Sequence, residues 1–182
     1  EILFLEGLTI STGRTAGLYT EIKQPTFHRR EGQDIVRIVA DILQRHGYGT
    51  RKDEACWIQC FEETALRRLR TELGWNGKLM MILGGKKPGA DGTDYDALSR
   101  PAGMKRVATF ADAIGPGIGR VVTWDKSGQL HVSAFTHDAH AAGLITPVLV
   151  APRARLEAVA LEAGLSLAGI AIEDVEHSHA AA

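Results

Sequence analysis

Tyr19-Thr20-Glu21-Ile22-Lys23-Gln24-Pro25 reads as the carboxyl end of a β-strand that carries an acid and a base on the same side. Residues two apart on a strand share a face, so Tyr19, Glu21 and Lys23 line one side while Thr20 and Ile22 line the other. Pro25 cannot donate to a sheet ladder and stops the strand just past the charged pair. A carboxylate is a hard oxygen donor suited to Ca²⁺ or Mg²⁺. An ammonium is a compact point charge suited to a phosphate oxygen. The same spacing also describes a plain strand-end ion pair, which is common and weak.

Outward from this stretch, strands and helices alternate. Strands are expected at Leu18–Ile22, Ala55–Cys60, Leu79–Leu83, Asp112–Gly115, Leu144–Val150 and Gly169–Ile172. Helices are expected at Gln33–Arg45, Phe61–Leu73, Leu98–Ala111, Ser133–Ala142 and Pro152–Ala163. The first helix repeats Ile35, Val36, Ile38, Val39, Ile42 and Leu43 at helical spacing, with Gly47 just past its end. This is a parallel α/β pattern of about six β/α units. Its strands read as apolar enough to be covered on both faces. No linker divides residues 1–182, so a single domain is expected. A doubly wound sheet and a piece of a (β/α)₈ barrel both fit. No Gly-x-Gly-x-x-Gly follows the first strand, which weakens a dinucleotide-binding reading. In a barrel, active groups sit at the carboxyl ends of strands. Glu21 and Lys23 hold such a position, as does Gln59, which shares a strand face with Trp57.

Composition narrows the function classes. A formal net charge of -1 gives no reason to expect nucleic acid or an anionic membrane surface as partner. No apolar run approaches the roughly 20 residues a bilayer span needs. Cys56 and Cys60, on one strand, would lie about 13 Å apart, beyond disulfide reach.

The segments Gly17-Leu18-Tyr19-Thr20-Glu21-Ile22-Lys23, Phe27-His28, Glu31-Gly32 and Asp34-Ile35 resemble the glycerophosphodiester phosphodiesterase family. The resemblance continues through His46-Gly47-Tyr48, Trp57-Ile58-Gln59-Cys60-Phe61, Pro101-Ala102-Gly103-Met104-Lys105 and Ala111-Asp112-Ala113-Ile114-Gly115-Pro116. It is nearest to the branch that includes the periplasmic enzymes, which favours a periplasmic or secreted location. The resemblance implies a (β/α)₈ barrel with a divalent metal, Ca²⁺ or Mg²⁺, at its mouth. It implies hydrolysis of a small-molecule glycerophosphodiester to glycerol 3-phosphate and an alcohol. Glu21 then corresponds to a metal ligand. Lys23 corresponds to a basic residue near the substrate phosphate. Gln59 corresponds to the polar residue of a substrate-binding motif, with Cys60 in place of Ser.

The family's general acid and base are histidines, one within His-Arg-Gly and one following Glu-x-Asp. Neither motif occurs in this chain, which opens at Glu1 rather than Met. The expectation is therefore an incomplete barrel without its first two strands, holding no catalytic residue and inactive by itself. The alternative is a non-catalytic, barrel-derived protein that binds phosphate or a partner. Imine chemistry at Lys23 ranks lowest, because a Schiff-base lysine has to react as the neutral amine and a neighbouring acid favours the charged form. The family's aromatic on the seventh strand is missing near Val148-Leu149, and Gly169-Ile170-Ala171-Ile172-Glu173-Asp174 departs from its final strand motif.

Weaker candidates surround this site. His137 and His140 are spaced to face one metal from a helix, with His131, His177 and His179 elsewhere, but no cysteine or carboxylate stands at ligand-like spacing. Gly84-Gly85-Lys86-Lys87-Pro88-Gly89 offers backbone N–H groups to a phosphate. It lacks the Lys-Ser or Lys-Thr of a phosphate-binding P-loop and reads first as a solvated loop. His28 ranks below Lys23 as a group at the mouth.

Overall fold

The computed structural model describes residues 2–14, 17–49, 56–127 and 129–146. A four-stranded parallel sheet runs in chain order: β1 (Leu18–Glu21), β2 (Cys56–Cys60), β3 (Lys78–Ile82) and β4 (Ala113–Gly115). Beyond β4, Ile145 adds a parallel bridge to Ala113. A doubly wound sheet reverses its strand order at a switch point. Here the order never reverses, which is the arrangement of consecutive β/α units wound in one direction.

Leu18, Ile58, Cys60, Leu79, Met81 and Ile114 are at most 7% exposed. They pack with Val36 and Leu43 of α3 (Ile35–Arg45), Leu66 and Leu69 of α4 (Glu63–Thr71), and Met104 and Val107 of α6 (Pro101–Val107). Each such aliphatic side chain contributes about 1.5–3 kcal/mol when fully buried. The opposite face is only partly closed. Met80 and Ala113 are buried there, but Tyr19 is 54% exposed and Glu21, Trp57 and Gln59 are half-buried. The expected cover on both faces thus holds for β3 and β4 and not for β1 and β2.

Other elements depart from the sequence pattern for identifiable reasons. Helix α1 (Ile2–Thr12) was not legible because Leu3, Phe4, Leu5, Leu8 and Ile10 surround its axis and give no apolar stripe. It buries no residue fully; Ile2 and Leu5 pack against the core, and Glu6 meets His46 at 3.4 Å. A short helix, α2 (Pro25–Arg30), replaces the loop expected after β1. The helix expected over 98–111 is the shorter α6, and a separate turn of helix, α5 (Tyr95–Leu98), ends at Leu98, where the expected helix would begin. Pro101 starts α6, because a proline inside a helix removes a donor and clashes with the preceding turn. A four-residue helix, α7 (Ile118–Val121), follows β4. It leads into an antiparallel hairpin of β5 (Val122–Trp124) and β6 (Leu130–Val132), where no element was expected. Helix α8 (Phe135–Ala141) follows. Of the strand expected at Leu144–Val150, Ile145 pairs as described. The expected helix Pro152–Ala163, strand Gly169–Ile172, and residues Val148, Leu149, His177 and His179 lie outside the described residues.

At the amino end of β3 and β4, Arg70 donates to Asp112 Oδ2 at 2.8 Å, to Trp75 O at 2.6 Å and to Phe110 O at 3.2 Å. Asp112 Oδ2 also accepts from Leu79 N at 3.0 Å. This half-buried pair ties α4 to two strands with its polar atoms satisfied, the condition under which burying charge is tolerated.

Asp34 joins two further helices. It caps α3 by accepting from Arg37 N at 3.2 Å and takes a bidentate pair from Arg68 of α4 at 2.7 and 2.6 Å. The Arg68 hydrogen bonds hold the Asp34 carboxyl at about 2. A carboxyl lowered by folding stabilises the fold above its unfolded pKa and loses that contribution as pH falls through its folded pKa. The wild-type protein should therefore lose stability between about pH 4 and pH 2 through this group. Asp34→Asn, which keeps the cap, should flatten that part of the curve in chemical denaturation at stepped pH. With Asp34 about one-third exposed, the difference at neutral pH is roughly 1 kcal/mol after solvent screening. An unchanged acid limb in the variant would show that the pair is not the cause.

Candidate active site

The parallel register brings Glu21, Gln59, Met80 and Ala113 into one row across the sheet. Neighbouring strands lie about 4.8 Å apart, so Glu21 and Gln59 stand side by side on the open face at the carboxyl rim. They stand 38 positions apart in the chain, and strand pairing joins them. Lys23 Nζ lies 2.9 Å from Glu21 Oε1, with the lysine side chain 74% exposed and the carboxylate 22% exposed. The pair sits at the rim and is wet on the lysine side, so it contributes little to stability.

One row deeper lie Tyr19, Trp57 and Lys78. The Tyr19 and Trp57 rings are 6.5 Å apart and tilted by 43°. Lys78 Nζ sits 5.6 Å from the Trp57 ring centre, within cation–π range. Tyr19 Oη donates to Met80 Sδ at 3.2 Å, and burial pushes the Tyr19 hydroxyl pKa up. The charged rim thus stands on an aromatic floor.

The loops leaving β1 and β2 are joined. Ile22 N donates to Gln59 O at 3.0 Å, and the Cys60 thiol donates to Ile22 O at 3.2 Å. Burial pushes that thiol up to about 12, which keeps it protonated as a donor and unreactive. Cys56 is likewise a buried thiol, and neither cysteine forms a disulfide. Gln24 has φ 49° and ψ 49°, left-handed backbone at a residue with a side chain. Such a conformation costs on the order of 1–2 kcal/mol and persists only where its surroundings impose it. Thr26 supplies that constraint: its N–H donates to Glu62 Oε2 at 3.0 Å, and its hydroxyl donates to the same oxygen. Glu62 is 4% exposed.

Neither Gln24 nor Glu62 was singled out from sequence. An acid at the start of a helix reads as a partner for the helix dipole. Here that task falls to the loop after β3. Asp91 accepts from Thr64 N at 2.9 Å and Thr93 Oγ1 accepts from Glu63 N at 2.9 Å, so this loop caps α4. Asp91 also accepts from the Thr64 and Thr93 hydroxyls, and these hydrogen bonds hold its carboxyl low despite the opposing effect of burial. The Gly84–Asp96 segment is therefore pinned rather than solvated throughout, although Lys86 and Lys87 are exposed at its tip. Arg120, also missed, binds Asp96 at 2.8 Å, Ser99 Oγ at 2.8 Å and Gly84 O at 3.2 Å, fastening α7 to α5 and to the loop after β3.

His28 is half-buried, with its ring 5.5 Å from Phe27. His131 pairs with Asp125 at 3.0 Å, His137 with Asp138 at 3.3 Å, and His140 with Thr146 at 3.0 Å. Among the described residues no three His, Cys, Asp or Glu side chains gather as a metal site. The zinc reading of the helix histidines gains no support from this arrangement. Glu21 supplies one hard donor where a Ca²⁺ takes six to eight oxygens. The described residues do not make a complete cation site. No helix among the described residues is long and apolar enough to cross a membrane.

No protein-family model matches the chain. Curated proteins do, two of them as follows. The chain is 33% identical over 141 residues to the glycerophosphodiester phosphodiesterase of Haemophilus influenzae, covering 70% of this chain and 38% of that protein. It is 30% identical over 149 residues to the glycerophosphodiester phosphodiesterase of Treponema pallidum, covering 73% of this chain and 42% of that protein. The chain thus spans about two-fifths of the length of the curated relatives it matches. Both relatives are named as enzymes, and the likeness is therefore to hydrolases of phosphodiesters.

Proposed function

We propose that this chain is part of a glycerophosphodiester phosphodiesterase, which hydrolyses a glycerophosphodiester to glycerol 3-phosphate and an alcohol. The single observation that supports this most is the likeness to two proteins of that name across more than two-thirds of the chain. The rim agrees with the chemistry: a carboxylate, an ammonium and an amide converge at the carboxyl end of a parallel sheet. On this reading the sheet is an arc of a (β/α)₈ barrel, where that end carries the active site. The chain would supply the later strands of the barrel, in the branch that includes the periplasmic enzymes.

In this proposal Glu21 is one ligand of a divalent cation, Ca²⁺ or Mg²⁺, with further ligands outside the described residues. A bound cation there would polarise the phosphoryl group. Lys23 has to leave Glu21 for the carboxylate to meet a cation, and its exposure allows that swing. Its ammonium is then available to a phosphate oxygen. The Gln59 amide, beside Glu21, donates to or accepts from the glycerol hydroxyls.

The test is release of glycerol 3-phosphate from glycerophosphocholine by the full-length gene product that carries this chain, with and without a chelator. Turnover abolished by chelation is expected. No turnover with any added divalent cation would defeat the reading. The 182-residue chain assayed by itself should release no glycerol 3-phosphate, because it contains neither His-Arg-Gly nor Glu-x-Asp. Positioned proton-transfer groups are worth roughly 10²–10⁴-fold. Turnover by the chain alone would show that its own residues move the protons.

A further inference from the structure

We infer that Gln24, Thr26 and Glu62 are positioning residues that hold Lys23 and Glu21 in place for a substrate phosphate, an assignment that rests on the hydrolase reading above. Lys23 lies between two fixed points. On one side, Ile22 is bonded through both its N–H and its carbonyl to β2, by Gln59 O at 3.0 Å and Cys60 Sγ at 3.2 Å. On the other side, Gln24 is held left-handed at φ 49°, with its carbonyl accepting from His28 N at 3.1 Å and the buried Pro25 following it. The chain cannot relax either neighbour of Lys23 without breaking one of these contacts.

Glu62 supplies the second argument. A carboxylate 4% exposed is costly to bury unless its hydrogen bonds repay the loss of water. At the start of α4 its ordinary role would be to cap that helix, but Thr93 and Asp91 already accept from the N–H groups of Glu63 and Thr64, the first two of α4. The Glu62 side chain turns instead to the loop after β1 and takes both donors of Thr26. A buried charge is thus committed to the segment three residues beyond Lys23, across from the strand that carries Gln59. Backbone strain next to candidate binding residues, held by such a contact, has the character of pre-organisation.

The experiment uses the full-length gene product and three variants, Thr26→Val, Thr26→Ser and Gln24→Gly. It reads kcat/KM on glycerophosphocholine, the melting temperature, and amide hydrogen exchange over residues 21–28. Thr26→Val should lower kcat/KM by about 10-fold or more, since small misplacements of binding groups carry penalties of that order. Thr26→Ser, which restores the hydroxyl, should recover most of it. Gln24→Gly relieves the left-handed strain, so it should melt at or above the wild-type temperature and still lose activity. A residue serving only stability would not separate in that way. Exchange should accelerate over 23–26 alone in Thr26→Val and Gln24→Gly. Wild-type kcat/KM in both variants would overturn the inference, as would a loss that tracks melting temperature. If the wild-type protein releases no glycerol 3-phosphate, the hydrolase reading falls by itself. Local exchange then decides the hold on the segment: acceleration confined to 23–26 upholds it, and unchanged exchange overturns it.

Discussion

Glutamine at position 21 is expected to lower kcat/KM for glycerophosphocholine by about 10²-fold or more in the full-length gene product, the scale seen when one charge-stabilising group is removed from an active site. Glu21→Gln keeps the size and hydrogen-bonding shape of the side chain and removes its charge. A neutral amide is a poorer donor to a hard cation than a carboxylate. Folding should hardly respond, because a pair with its lysine 74% exposed contributes at most about 1 kcal/mol. The expected pattern is a large kinetic loss, a melting temperature within a few degrees of wild type, and a higher concentration of Ca²⁺ or Mg²⁺ for half-maximal rate. Wild-type turnover in Glu21→Gln would return Glu21 and Lys23 to the plain ion pair that their spacing also allows.

Alanine at position 103 should have the largest effect on stability. Gly103 lies in α6, where α6 crosses α5, and a Cβ built there would sit 2.1 Å from Ala97 O and 2.6 Å from Leu98 Cα. Both obstacles are backbone, so no side-chain rotation relieves the clash and the two helices must separate. Met104 and Val107, fully buried on the same helix, would be displaced with them. Alanine gains about 1 kcal/mol of helix propensity over glycine. Overpacking of this kind costs about 3 kcal/mol or more, which outweighs the gain. At roughly 2–4 °C per kcal/mol for a protein of this size, the net loss of about 2 kcal/mol should make Gly103→Ala melt about 4–8 °C below wild type. Gly85→Ala is the control, since nothing lies within 4 Å of a Cβ at Gly85. Equal melting of the two variants would mean that α5 and α6 do not approach so closely.

Gly103 also illustrates how much of the molecule the sequence discloses. Pro101-Ala102-Gly103-Met104-Lys105 was legible as part of a resemblance, but a glycine inside a helical pattern only weakens a helix when read along the chain. Its reason appears when two helices cross. The missed elements have similar causes. Helix α1 spreads its apolar residues around its axis, so periodicity had nothing to detect. The β5–β6 hairpin is built from strands of three residues each, too short to carry an alternating pattern. The break between α5 and α6 was visible in Pro101 and was read through.

By itself the sequence determined the alternation of strands and helices and the charged pair at the end of β1. These rest on periodicity and on proline stops, which are local physical rules. The sequence also carried the likeness to phosphodiesterases. Only the tertiary structure decided that the strands run in unreversed order, that one face of β1 and β2 is open, and that Glu21 stands beside Gln59. Only packing turned Glu62 away from its own helix toward Thr26 and held Gln24 left-handed beside Lys23. Hydrogen bonds between residues thirty-odd positions apart depend on which strands become neighbours, and no local pattern in the chain encodes that choice.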